Sequence, residues 1–254
     1  MPACRQTGAG SFTPGLRSEG PLNLRALAEY FFNIDIMYRA LPALLSGVWV
    51  TVKVSVTLMV FGFVAGLVLA VMRTSHVRYL SRPVNILIRL YVNLLRASPS
   101  LVLVVLVYYG SGFIGIELSA FWATVITFGA CLSAFAEEIF RAGIEAIGKG
   151  QVEAARAIGL THLQTMRYVI LPWAIRAAIP TLTNSSIGIS KDISMASAIA
   201  LPELLKQARH IQALVANPTP LIEAAIIYVL LFFPFVRLTS FLERKRTKKG
   251  SKHI

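Results

Sequence analysis

The sequence predicts an all-α polytopic membrane protein of five transmembrane helices, with a long cytoplasmic loop between the third and the fourth. Three observations carry this. Of 254 residues, 56% are hydrophobic and 15% charged, whereas a soluble domain is about a quarter charged. The apolar residues fall in uncharged runs, and roughly 17–25 helical residues cross the ~30 Å hydrocarbon core. Finally, the runs do not alternate polar and apolar residues as barrel strands would, and in lipid only helices or a closed barrel satisfy the backbone.

Residues 1–41 read as a tail. Its first twenty residues are rich in Gly, Pro, Ser and Thr and lack the apolar stretch of a cleaved signal, which leaves the first span as the targeting signal. A disordered tail and a start further along the chain are both compatible with this composition. A membrane domain, 42–243, then holds spans at 45–72, 90–113, 118–140, 177–205 and 220–241, and 244–254 is a basic cytoplasmic tail. The first three spans contain clean runs, Val54 to Met72, Ala97 to Ile116 and Leu118 to Ala136. The fourth carries Lys191, Asp192 and Glu203, and the fifth Glu223 and Arg237.

Net charge is +13. No DNA-reading motif or aromatic-interleaved basic patch accompanies it, so nucleic acid is not an expected partner. The basic residues instead gather at span ends, which sets orientation. Arg73, Arg78 and Arg82 follow span one. Arg141, Lys149, Arg156, Arg167 and Arg176 separate spans three and four, and Arg244 to Lys252 follow span five. These regions are expected inside, with the N-terminus outside and the C-terminus cytoplasmic, although Arg5, Arg17, Arg25 and Arg39 in the tail oppose that assignment.

Catalysis finds no support. His76, His162, His210 and His253 are scattered, Cys4 and Cys131 have no ligand spacing, and no nucleophile elbow occurs. No catalytic residue, metal site or cofactor bound by this chain is therefore expected. Gly143 to Lys149 has the spacing of a phosphate loop, but Gly150 stands where a Ser or Thr is needed and a membrane helix precedes it. It reads as a glycine-punctuated helix end with Lys149 at the negative dipole end.

The loop between spans three and four is the informative segment. Glu153 complements a helix N-terminus, Ala154 and Ala155 leave a low surface, Gly159 permits a sharp turn, and Pro172 marks the return to the membrane. These features fit a protein-docking elbow and an interfacial amphipathic helix equally.

Glu153-Ala154-Ala155, Gly159, Val169, Leu171 and Pro172 resemble the EAA loop of the membrane subunits of ATP-binding-cassette importers, with Val169 at the isoleucine place. Arg141 to Gln151, Arg96-Ala-Ser-Pro99, Lys191-Asp192-Ile193-Ser194 and Glu243-Arg244 resemble segments of the polar amino-acid permease branch. The resemblance implies a five-helix permease subunit of the bacterial inner membrane. It implies a second permease subunit, either identical or a sister, cytoplasmic ATPase subunits that bind ATP and Mg, an external solute-binding protein and a polar amino acid as substrate. It assigns ATPase coupling to Glu153, Ala154, Ala155, Gly159, Leu171 and Pro172. A methionine or osmoprotectant permease is the alternative within this loop family. An ion-coupled carrier would need inverted repeats, and none is visible.

Ionisable residues inside a membrane are functional candidates. Lys191 and Asp192 mark either a path-lining helix break, with Asp192 capping the next half-helix, or a neutralised packing element. Arg96 either meets a substrate carboxylate or reaches the interface. Lys53, near the outer end of span one, reads as a snorkelling residue, and Glu223, at the outer end of span five, as an interface residue or a mouth for the docked binding protein. Gly62 and Gly66 allow close helix approach, within the subunit or, less commonly, in a dimer, and Tyr108 and Tyr109 suit the outer interface.

Overall fold

The computed structural model describes residues 30–74 and 81–250, with backbone alone for Ser81 and residues 242–250. The expected tail up to residue 29, with Cys4, Arg5, Arg17 and Arg25, lies outside the described residues, as do His76, Arg78, Lys252 and His253. Every regular element among the described residues is helical. In chain order these are α1 (Ile34–Thr74), α2 (Ser81–Ala97), α3 (Ser100–Phe113), α4 (Ala120–Glu145), α5 (Lys149–Ala157), α6 (His162–Thr165), a π-helical turn (Met166–Ile170), α7 (Leu171–Asp192), a 3-10 segment (Ile193–Ile199), α8 (Leu204–Val215) and α9 (Thr219–Gly250).

Helices α1, α4 and the Thr219–Phe241 part of α9 are long and apolar enough to cross a membrane, and α2 with α3 makes a fourth crossing if the pair counts as one span. Two expected spans therefore differ from simple helices. The second is broken, because proline disfavours a helical residue before it. At Pro99, whose backbone is extended with ψ 128°, the chain turns by 109° between α2 and α3. The fourth, α7, falls short in hydropathy because Arg176, Thr181, Thr183 and Asn184-Ser185-Ser186 dilute its apolar residues. Thr183 and Ser186 return their hydroxyl protons to the carbonyls of Ile179 and Leu182, at 2.8 and 2.7 Å, which keeps them inside the helix without external partners.

Helix α4 is the hub. Its apolar stretch is 72% buried, against 28% for α1 and 17% for α9, so α4 is enclosed by the other helices while α1 and α9 leave their flanks uncovered. Ser119 caps it by accepting from the Trp122 N–H. The closest packing is with α1: a Cβ on Gly66 would stand 2.5 Å from the Ala136 Cβ, and one on Gly62 2.8 Å from Leu132. Because the two pairs advance together, α1 and α4 run parallel. The Gly-x-x-x-Gly pair thus serves packing inside the subunit.

The starts of α1 and α9 lie together, where the Asn33 N–H donates to Thr219 Oγ1 at 3.3 Å. Helix α8 covers this end, with Leu204 and Ala208 buried against Ala40, Leu44 and Ala224. Glu203, fully buried, caps α8 by accepting from the N–H groups of Leu205 and Lys206 at 2.9 and 2.6 Å. The Tyr228 hydroxyl donates to the same carboxylate at 2.8 Å.

Candidate functional site

The segment singled out in the sequence folds as two short helices set at an elbow. Glu153 stands within α5 rather than at its start, since Lys149 opens that helix. Lys149 therefore sits at a positive helix end rather than closing α4. Gly143, the first glycine of the phosphate-loop spacing, packs against α7, where a Cβ would lie 3.1 Å from the Ala174 carbonyl. The helix closes at Gly159, whose φ of +90° suits glycine alone. Its N–H donates to the Arg156 carbonyl at 3.0 Å, and the Leu160 N–H donates to the Ala155 carbonyl at 3.2 Å. These two bonds form a Schellman cap.

Two residues on, α6 begins with a capping box. Thr161 Oγ1 accepts from the Gln164 N–H at 3.3 Å, and Gln164 Oε1 accepts from the Thr161 N–H at 2.8 Å. The helix then continues unbroken into α7. Pro172 does not end it, because the preceding turn widens: the Leu171 N–H donates to the Met166 carbonyl, five residues back. Widening eases the clash that a proline imposes on the preceding turn of a regular helix.

The elbow is mounted firmly on one side and bare on the other. Ile147, Met166 and Ile170 are buried with Ala70, Phe140, Ile144, Ala174 and Ala178, and Val152 and Leu171 pack partly against them. Ala155 faces inward at 6% exposure. Glu153, Ala154, Gly159 and Pro172 are exposed. Beside them Ile158, Leu163 and Tyr168 are 80%, 76% and 63% exposed. One face of the elbow thus offers carboxylate, small residues and large apolar side chains together, above a core that reaches α1, α4 and α7.

The candidate path residues are not gathered in one place. Lys191 is exposed and lines, with Ser194, a groove of about 400 Å³ walled by Tyr228, Phe232 and Phe233 of α9. Asp192 is half-buried at the end of α7, and the backbone tightens there into the 3-10 segment. A break is present, but the Asp192 side chain does not cap it. Among the described residues no ion pair joins Lys191 and Asp192. Arg96 lies instead against α4, paired with Glu138 and stacked 5.3 Å over the Phe135 ring. The Lys53 ammonium stands 4.9 Å over the Trp49 ring. Glu223, expected at an interface, is only 5% exposed.

Sequence reasoning passed over the carboxylates beside Arg96. Glu137 is fully buried and accepts from Arg73 Nη1 on both oxygens, at 3.0 and 3.1 Å, with Arg141 Nε at 3.8 Å. Glu138, the next residue, lines a groove of about 370 Å³ between α4 and α7. Two adjacent carboxylates ending an apolar run were the available signal. Their partners on α1 and α2 depend on long-range register.

A family model described as binding-protein-dependent transport system inner membrane component matches residues 62–248. A probable amino-acid ABC transporter permease protein, YckA, of Bacillus subtilis is 38% identical over 183 residues, covering 72% of this chain and 79% of that one. The L-cystine transport system permease protein TcyB of the same organism is 35% identical, covering 80% and 86%. Among solved structures, an amino acid ABC transporter crystallised with histidines matches with a TM-score of 0.74 and 35% identity, covering 82% of this chain and 96% of that one. The inward-facing MetNI methionine ABC transporter matches with a TM-score of 0.60 at 23% identity, covering 79% and 96%, a likeness of fold.

Proposed function

The chain belongs to the family of binding-protein-dependent transport system inner membrane components, and on that premise we propose that it is the membrane-spanning permease subunit of an ATP-driven importer of a polar amino acid. The observation that carries the coupling is the elbow from Lys149 to Ile170, bare on its Glu153, Ala154, Ile158 and Leu163 face and buried on its Ile147, Met166 and Ile170 face. In this reading a cytoplasmic ATPase subunit covers the bare face. Its closure on ATP moves the elbow as a unit, and the buried face passes the displacement to α1, α4 and α7. The permease holds two packings, and ATP on one side and the loaded binding protein on the other bias the same equilibrium. ATP and Mg belong to the ATPase.

The remaining features fit the same reading. α1, the bent α2–α3 segment with α2 at the membrane face and α3 entering the membrane, α4, α7 and α9 serve as five spans, with the Arg73 end inside, the N-terminus outside and the C-terminus cytoplasmic. A second permease subunit completes the path, to which Lys191, Asp192 and Arg96 are candidates; a solute-binding protein delivers the substrate outside. Relatives named for cystine, glutamine and arginine support an amino acid as cargo. A methionine or osmoprotectant cargo is the alternative.

Glu153→Lys and Gly159→Val are expected to abolish ATP-driven uptake while membrane insertion stays at the wild-type level. Normal uptake by both variants contradicts the coupling role.

A further inference from the structure

We propose that α2 is a surface helix that binds anionic phospholipid, its arginines meeting headgroup phosphates and its leucines the acyl chains beneath. At about 100° per residue, α2 divides into three stripes. Ile88 and Val92 are buried and, with Val84, Tyr91 and Leu95, face Leu69 of α1 and Ala134 of α4. Leu87, Leu90 and Leu94 form a second stripe, exposed at 64%, 53% and 57%. Arg82, Arg89 and Arg96, spaced seven residues apart and therefore two turns from one another, form the third with Asn93.

The level of α2 is set by what it packs against. Leu69 stands one turn before Arg73, and Ala134 one turn before Glu138, so α2 lies where α1 and α4 pass from apolar to charged sequence. The 109° turn from α3 keeps it from continuing a crossing. A helix at that level, with leucines beside arginines on its outer side, has the form of an interfacial helix.

Charge decides the occupant. Arg96 is paired with Glu138, whereas among the described residues Arg82 and Arg89 make no ion pair. Two exposed guanidiniums without a protein counter-ion match the phosphates of an anionic leaflet, which guanidinium binds in a two-pronged geometry. An acidic soluble partner would answer the arginines but leave the leucine stripe uncovered. The inference needs a membrane face and not which face, so it does not rest on the proposed topology or cargo.

The test is native mass spectrometry of the full chain in detergent, titrated with phosphatidylglycerol, with phosphatidylcholine and inorganic phosphate as separate arms. Wild type is expected to retain phosphatidylglycerol in preference to phosphatidylcholine, with inorganic phosphate failing to compete and added salt weakening retention. Arg82→Gln/Arg89→Gln is expected to bind phosphatidylglycerol roughly tenfold or more weakly, while Arg82→Lys/Arg89→Lys stays near wild type and both keep wild-type melting in phosphatidylcholine. Absence of headgroup preference in wild type overturns the proposal without any variant. Equal retention by wild type and the Gln pair also overturns it, as does loss of a copurifying protein subunit in place of lipid.

Discussion

Arg73, in the last turn of α1, donates from one guanidinium nitrogen to both oxygens of Glu137 inside α4, at 3.0 and 3.1 Å. The pair fastens two parallel helices at the end where the elbow is mounted. Removing one member of a buried pair strands the other, at about 3–5 kcal/mol. Glu137 is fully buried while Arg73 keeps 15% exposure, so the two halves of the pair are unequal. Arg73→Ala is expected to destabilise by about 3 kcal/mol, and Glu137→Gln by less, because Arg73 can turn toward water. Thermal unfolding in detergent compares them, and equal losses contradict the assignment.

The glycines of α1 give a second expectation. Gly66→Ala places a Cβ 2.5 Å from that of Ala136, and overpacking of this kind costs about 1–3 kcal/mol. Gly188, within α7, has nothing within 4 Å of a built Cβ. Gly188→Ala is therefore expected to fold at least as well as wild type, with up to about 1 kcal/mol gained from helix propensity. Monodisperse yield and melting temperature distinguish the two.

At the opposite end, Glu203 holds two backbone N–H groups of α8 and the Tyr228 hydroxyl. Glu203→Ala loses the cap and leaves the hydroxyl without its acceptor, for about 2–3 kcal/mol. Tyr228→Phe removes one bond and is expected to cost about 1 kcal/mol. The order of these losses, read by denaturation, is the check.

The elbow carries its own test of construction. Thr161→Ala removes one half of the capping box and about 1 kcal/mol of local helix stability. Hydrogen exchange is expected to quicken from Thr161 to Met166 while the slowest amides of α4 stay unchanged. A uniform acceleration across the chain would place Thr161 in the global core instead.

The parts legible in the sequence were those with local signals. The spacing of Gly62 and Gly66 announced a close approach, and Gly159 announced a turn that its φ of +90° requires. The seven-place pattern from Glu153 to Pro172 marked the elbow before its geometry was known. Pro99 was in view as a motif, yet the size of the bend it permits depends on α2 finding Leu69 and Ala134 to pack against. Pro172 stands at the first residues of α7, where the sequence put the return to the membrane, but the widened turn before it was invisible in local sequence. Glu137 and Glu138 were missed because their partners, Arg73 and Arg96, are distant in sequence and meet them only through helix register. The fourth expected span, 177–205, was placed on α7, but its end was not legible: the α-helix stops at Asp192 and a 3-10 segment follows.

ATP-driven coupling through the elbow is tested most directly by uptake of labelled amino acids into proteoliposomes holding the permease, its binding protein and its ATPase. Uptake that requires all three components and ATP, and that falls to background when the ATPase is omitted, is the predicted result. Uptake that persists against a gradient without the ATPase would contradict the account.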